Sequence, residues 1–217
     1  MQTRVKICCI GNEDEAGMAV EYGASAIGLV GKMPSGPGVI TDNAIKRIAA
    51  SVPPPVATFL LTSETTTQNI IEHQQRVNTN TIQIVDKLRS GTYGDIRKAL
   101  PSVKLVQVIH VLDEKSVEEA VAVAGQVDAL LLDSGNPNAR IKVLGGTGRV
   151  HDWELSRKIR DSVDIPVFLA GGLTPENVVS AIEKVEPFGI DVCSGVRTNS
   201  KLDRLKLERF MKGTERF

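Results

Sequence analysis

Short apolar runs rich in β-branched residues recur at 5–10, 26–30, 56–61, 81–85, 105–110, 129–132, 166–169 and 190–193. Between and after them lie stretches with helical spacing of apolar positions, at 13–23, 41–51, 66–77, 92–99, 114–124, 152–161, 175–185 and 201–213. A strand that is apolar on both faces is buried on both faces, as in a parallel sheet covered by helices. Eight βα units in 217 residues average about 27 residues each, which predicts a compact α/β fold, the (β/α)8 TIM barrel. The competing arrangement is a doubly wound open sheet, but no Gly-x-Gly-x-x-Gly follows the first run. No linker, charge block or low-complexity segment interrupts the alternation, so residues 1–217 read as a single barrel domain.

In such a barrel the chemistry sits at the C-terminal ends of the strands. The seventh run ends in Gly171-Gly172, followed by Thr174 as an expected N-cap, Pro175 at the first helical position, and Glu176-Asn177 in the first turn. Glycine lets a ligand approach the backbone N–H groups, and a helix N-terminus adds partial positive charge at the same spot. Both features suit a phosphate oxygen. The eighth run ends in Ser194-Gly195, with a C-terminal helix expected from about Lys201. Phosphate sites between the loops after strands 7 and 8 recur in this fold. A third glycine segment, Gly145-Gly146-Thr147-Gly148, can cradle an anion or serve as a flexible lid.

Polar residues inside otherwise apolar strands supply the candidate chemistry. Side chains alternate along a strand, which puts Lys6 and Cys8 inside the barrel and Cys9 outside, packed under a helix. A nearby ammonium favours thiolate over thiol, making Cys8 a candidate base or nucleophile. Read without a partner, Cys8 is equally a small buried hydrophobe. Asp133 ends the apolar run Ala129-Leu130-Leu131-Leu132, where a raised pKa would make it a general acid. Its plain alternative is a turn-capping aspartate before Ser134-Gly135. An acid and a base facing a phosphate grip describe proton transfer on a phosphorylated sugar. Of the histidines, His110 ends the fifth run and can line the mouth, His73 reads as solvated, and His151 belongs to the start of the sixth helix. No His/Cys/Asp spacing argues for a metal.

Composition narrows the partners. Lysine plus arginine balance aspartate plus glutamate at 26 each, so no net charge steers the chain to nucleic acid or an anionic membrane. Aromatics make up 4%, too few for a base-stacking surface. No apolar stretch approaches the ~20 residues of a membrane span. The start, Met1-Gln2-Thr3-Arg4, runs into a strand without a signal peptide's apolar core. Three cysteines, two of them adjacent, make no disulfide framework. The chain reads as soluble and cytoplasmic, without a cofactor site, and with a small phosphorylated sugar as its partner.

These residues carry a resemblance. Val5-Lys6-Ile7-Cys8, Leu131-Leu132-Asp133, Gly145-Gly146-Thr147-Gly148 with Asp152-Trp153, Phe168 to Leu173 with Pro175-Glu176-Asn177-Val178, and Asp191-Val192 with Ser194-Gly195-Val196 resemble the phosphoribosylanthranilate isomerase family of tryptophan biosynthesis. The resemblance covers nearly the whole chain. It implies a cofactor-free Amadori rearrangement of N-(5-phosphoribosyl)anthranilate to the 1-deoxyribulose 5-phosphate product, by a monomer or homodimer. By motif match, Asp133 protonates the ring oxygen and Cys8 removes the C2′ proton. The expected substrate- and phosphate-binding set is Lys6, Gln83, Gly146, Gly171, Gly172, Ser194, Gly195 and Arg140.

The chain departs from the family's pattern at four places. Gly38 stands where the family's carboxylate-binding arginine falls, and Val85 where its strand-4 histidine falls. Cys9 replaces the glycine after the cysteine, and Arg197 a glutamate. A lost arginine–carboxylate contact is not neutral. Arg140 is the expected substitute and Arg197 the runner-up, with Lys142 and Lys32 also available. Two other readings stand beside the first: a related isomerase for a different N-linked phosphoribosyl compound, and a non-catalytic phosphosugar-binding barrel.

Overall fold

In the computed structural model, residues 3–135 and 151–217 are described. All eight apolar runs form strands: β1 (Arg4–Ile7), β2 (Ala26–Val30), β3 (Ala57–Thr62), β4 (Thr81–Ile84), β5 (Lys104–His110), β6 (Ala129–Asp133), β7 (Val167–Leu169) and β8 (Gly189–Val192). They pair in parallel in chain order, and β8 returns to β1 to close the barrel. The helices are α1 (Glu13–Glu21), α2 (Asp42–Ser51), α3 (Thr67–Val77), α4 (Tyr93–Ala99), α5 (Lys115–Ala124), α6 (Trp153–Asp161), α7 (Val178–Val185) and α8 (Arg204–Thr214).

Local signals start most of these helices. Asn12, Thr41, Thr66, Thr92, Asp152 and Asp203 each accept a backbone N–H of the first turn through their side chains. The last two helices start later than the sequence indicates. Thr174 accepts the Glu176 N–H, and its own N–H donates to Asn177, so residues 175–177 are spent on a turn and α7 begins at Val178. A 3-10 turn at Ser194–Val196 and a small antiparallel pair, β9 (Arg197–Thr198) with β10 (Lys201–Leu202), precede α8.

Burial divides into two layers. Ile7, Ile27, Leu29, Leu60, Ile82, Leu130, Leu132 and Ile190 point outward under the helices and form the larger cluster. Phe59, Leu61, Val106, Val108, Leu131 and Phe168 fill the barrel interior. Successive residues alternate between the layers, as the pleat demands. His73, read as solvated, is instead 4% exposed. Its Nδ1 lies 3.0 Å from the Thr62 hydroxyl and its Nε2 3.2 Å from Asp42. Its ring fills the space in front of Gly31, where a Cβ would lie 2.5 Å from the imidazole. Burial pulls its pKa down against the pull of Asp42. Among the described residues no helix is long and apolar enough to cross a membrane, and no group of three or more His, Cys, Asp or Glu side chains is placed to hold a metal ion.

Candidate active site

A cleft enclosing about 690 Å³, part of it open to solvent, lies at the C-terminal mouth of the barrel. Its walls bring together Cys8, Gln83, Asp133, Gly171, Gly172 and Ser194, six of the residues singled out in the sequence. Lys6 sits beneath them with no exposed surface, its ammonium donating to Asp191 Oδ1 at 2.8 Å and lying 5.2 Å from the centre of the Phe59 ring. Lys6 and Asp191 are register partners across the β1–β8 seam. Burial works against the Lys6 charge, but the Asp191 carboxylate overrides it and holds the ammonium above its ordinary pKa. Gly28 on β2 makes the room: a Cβ there would lie 2.7 Å from Cys8 Sγ and 3.0 Å from Lys6 Nζ.

Asp133 is 9% exposed at the end of β6. One oxygen accepts the Ser134 N–H at 2.7 Å and its hydroxyl at 3.4 Å. The carboxyl group thus caps the turn at Ser134 and leaves its other oxygen out of that contact. Burial pushes its pKa above the ordinary carboxylate range, with the Asp191 charge adding to the rise, while the Ser134 N–H and His110 hold it back. His110 pairs in register with Asp133, but its Nε2 lies 3.0 Å from the Val85 carbonyl and it stays out of the cleft wall.

The edge where the sequence predicts phosphate is built from backbone. Gly171 and Gly172 both have positive φ, +82° and +66°, the region glycine enters without strain. A Cβ on Gly171 would lie 2.9 Å from His151 Nδ1 and 3.0 Å from Ser134 Oγ. His151 thus packs against this turn, with Nε2 2.6 Å from Ser156 Oγ and burial drawing its pKa down to about 4. Gly195 serves the edge from behind: a Cβ there would collide with the Leu173 carbonyl oxygen, so the loops after β7 and β8 meet only because it has none. Ser194 is the residue of that pair in the cleft wall.

Two expectations for the mouth are overturned. Cys9 does not pack under a helix. β1 ends at Ile7, Cys9 takes a left-handed φ of +61°, and its side chain joins the cleft wall. Its Sγ lies 2.7 Å from the Cys193 sulfur. Arg197 does not reach into the cleft. Its guanidinium donates to Glu15, to Ser200 O, and to the carbonyls of Cys8 (3.2 Å) and Cys9 (2.6 Å). Lys32 lies exposed outside the cleft wall. Arg140, Lys142 and Gly146 lie outside the described residues.

Gly38 has φ +78°, and a Cβ on it would lie 2.5 Å from Cys9 Cβ. The glycine and the cysteine therefore occupy one space between them. Val85, Val30, Met33, Pro37 and Leu61 make the adjoining wall apolar. Gln83 Oε1 is buried there without a hydrogen-bond partner among the described residues.

Sequence reasoning missed Asp191 and Gly28 as parts of the site. The signal for Asp191 was available, since a lone carboxylate between Ile190 and Val192 is as anomalous as Lys6 between Val5 and Ile7.

A family model described as N-(5′-phosphoribosyl)anthranilate (PRA) isomerase matches residues 5–213. The chain is 34% identical over 207 residues to N-(5′-phosphoribosyl)anthranilate isomerase of Methanocella arvoryzae, covering 95% of each protein. It is 37% identical over 197 residues to that of Haloarcula marismortui, covering 90% of this chain and 88% of the relative. Among solved structures, phosphoribosyl anthranilate isomerase from Thermotoga maritima superposes with a TM-score of 0.81 at 31% identity, covering 99% of this chain and 100% of that one. Another phosphoribosyl anthranilate isomerase, in complex with reduced 1-(o-carboxyphenylamino)-1-deoxyribulose 5-phosphate, gives a TM-score of 0.78 at 29% identity, with 99% of this chain and 100% of that one covered.

Proposed function

The chain belongs to the phosphoribosylanthranilate isomerase family, and from that premise we propose that it isomerises an N-linked phosphoribosyl compound, N-(5′-phosphoribosyl)anthranilate first, with Asp133 as acid and Cys8 as base. The observation that carries this reading is the placement of both side chains on one cleft, above the buried Lys6–Asp191 pair and beside the Gly171-Gly172 turn.

The carboxyl group of Asp133 donates its proton to the furanose ring oxygen, the C1′–O bond breaks, and the ring opens to an iminium ion. Cys8, as thiolate, takes the proton from C2′, and the electron pair of that C–H bond neutralises the iminium nitrogen to give an enolamine. The 2′-hydroxyl proton then moves to C1′, leaving the ketone. Asp133 has lost one proton and Cys8 gained one, and exchange with water resets both. A buried acid with a raised pKa keeps its proton at a pH where a surface carboxyl has lost it. The phosphate lies against the N–H groups of Gly171, Gly172 and Ser194, where backbone donors approach it without an intervening Cβ. Lys6 keeps a fixed positive charge beneath Cys8, and Gln83 Oε1 is free to accept a substrate hydroxyl. No step in this account requires a cofactor, and a cytoplasmic monomer or homodimer suffices.

The aglycone is the open half of the reading. Among the described residues the cleft wall holds no lysine or arginine, which favours, as a second reading, an isomerase whose aglycone lacks anthranilate's carboxylate. Arg140 remains the proposed carboxylate partner if anthranilate is the substrate. Comparing kcat/KM on the anthranilate compound with that on a decarboxylated analogue separates the two, and Arg140→Ala should lose roughly ten- to a hundred-fold on the former alone.

General acid–base groups contribute ~10²–10⁴-fold each, so Asp133→Asn and Cys8→Ser should each lose about that much kcat while the melting temperature holds. Activity of the wild type should also fall as pH rises past the raised pKa of Asp133, because the acid must be protonated to act. A fully active Asp133→Asn variant would remove Asp133 from the role of acid.

A further inference from the structure

Cys9 and Cys193 take no part in the chemistry proposed above, yet their sulfurs lie 2.7 Å apart. They come from positions 184 residues apart in the chain and meet where the barrel closes. Just before them, the Cys8 N–H donates to the Val192 carbonyl at 2.8 Å. The last register pair of the seam, Ile7 with Val192, comes just before the turns that carry the two cysteines.

The local backbone is committed to this contact. Cys9 holds a φ of +61°, a conformation that glycine adopts freely and a cysteine only at a cost. That turn takes the Cys9 side chain out of the strand's alternation and into the cleft wall beside Cys193. The Arg197 guanidinium is locked onto the carbonyls of Cys8 and Cys9 and onto Glu15, which fixes a positive charge near both sulfurs. The hydrogen bond with Cys9, and then the Arg197 charge, favour the thiolate of Cys193, while burial and the Asp191 charge oppose it. Both residues line the solvent-open cleft, so a small oxidant has a route to them.

We propose that Cys9 and Cys193 are an oxidisable dithiol site that takes a small hydroperoxide as its co-substrate and closes to a disulfide across the β1–β8 seam. The Cys193 thiolate attacks the terminal peroxide oxygen, the O–O bond breaks, and the leaving oxygen departs as water or alcohol after taking up a proton. The resulting sulfenic acid is attacked at sulfur by Cys9, an S–S bond forms, and a second water leaves with the Cys9 proton. Two thiols are oxidised and one peroxide is reduced. The product ties the turn carrying Cys8 to the turn carrying Ser194, so base and phosphate edge become covalently linked. Cys8, beside Lys6 and Gly28 in the barrel interior, is left out of the bond.

The test treats the whole protein with a slight excess of hydrogen peroxide, then alkylates the remaining thiols and weighs the chain. The wild type should lose the mass of two hydrogens and keep one alkylatable thiol of its three. Its melting temperature should rise by several degrees, and dithiothreitol should reverse both changes. Cys8→Ser should close in the same way. Cys9→Gly, whose new residue is at ease with a positive φ, should take up oxygen without losing two hydrogens, and Cys193→Ser, which lacks the attacking thiolate, should do neither. Closure in Cys9→Gly, failure to close in Cys8→Ser, or a wild type that only accumulates oxygen adducts would each overturn the proposal. None of these readouts depends on the isomerase activity.

Discussion

The two halves of the cleft are built on different terms. On the side of β1, β6, β7 and β8 stand Lys6, Cys8, Asp133, Asp191, Gly171, Gly172 and Ser194, where charge is buried and matched. On the side of β2, β3 and β4 stand Val30, Met33, Pro37, Leu61 and Val85, with Ser35 and Gln83 as the polar exceptions. Charges that act on a transition state must be fixed before the substrate arrives, because an enclosed site gives them no water to reorganise. An aglycone ring can be held by apolar area, which is non-directional and tolerant of exchange. The proposed reaction chemistry and the proposed aglycone recognition therefore fall in separable halves of one mouth.

The largest blow to that division comes from Lys6. Lys6→Met strands the Asp191 carboxylate in the interior, and breaking a buried pair from one side costs ~3–5 kcal/mol. Denaturant unfolding should show that loss, with most of it recovered in Lys6→Met/Asp191→Asn. A Lys6→Met variant as stable as wild type would mean the pair is not buried as described. Next in size is Gly172→Val. Its φ of +66° strains a β-branched residue, and the new side chain stands where the phosphate is proposed to lie. KM should rise strongly while kcat changes less, and an unchanged KM in a folded variant would remove the phosphate from this turn.

The smallest effect probes the other half. Gly38→Ala should cost roughly 1–3 kcal/mol because its Cβ meets that of Cys9 on a positive-φ backbone. Cys9→Gly frees the space, so the double variant should recover the clash component and leave only the backbone strain. Additive losses in that cycle would show the two positions do not share one space.

Much of this was legible from the chain alone. Eight apolar runs at regular spacing gave eight strands, because parallel strands buried on both faces leave a continuous hydrophobic signature that side-chain alternation does not blur. The polar exceptions were legible for the same reason: Lys6 within β1 and Asp133 at the end of β6 are expensive to bury, so a sequence carries them there only with partners. Helix starts were less legible. Asn177 and Thr174 compete for the cap of α7, and only the hydrogen bonds of the assembled turn decide between them.

The sequence by itself determined the barrel and marked Lys6, Asp133 and the glycine turns as exceptional, since each follows from periodicity or from a residue type placed against its environment. Tertiary structure alone decided who partners whom. That Asp191 neutralises Lys6, that Gly28 leaves room for Cys8, that Cys9 fills the space before Gly38, and that Arg197 is consumed by Glu15 and three backbone carbonyls, those of Cys8 and Cys9 among them, all arise from packing between distant parts of the chain. These contacts join residues far apart in sequence, and no local pattern encodes a distance between them.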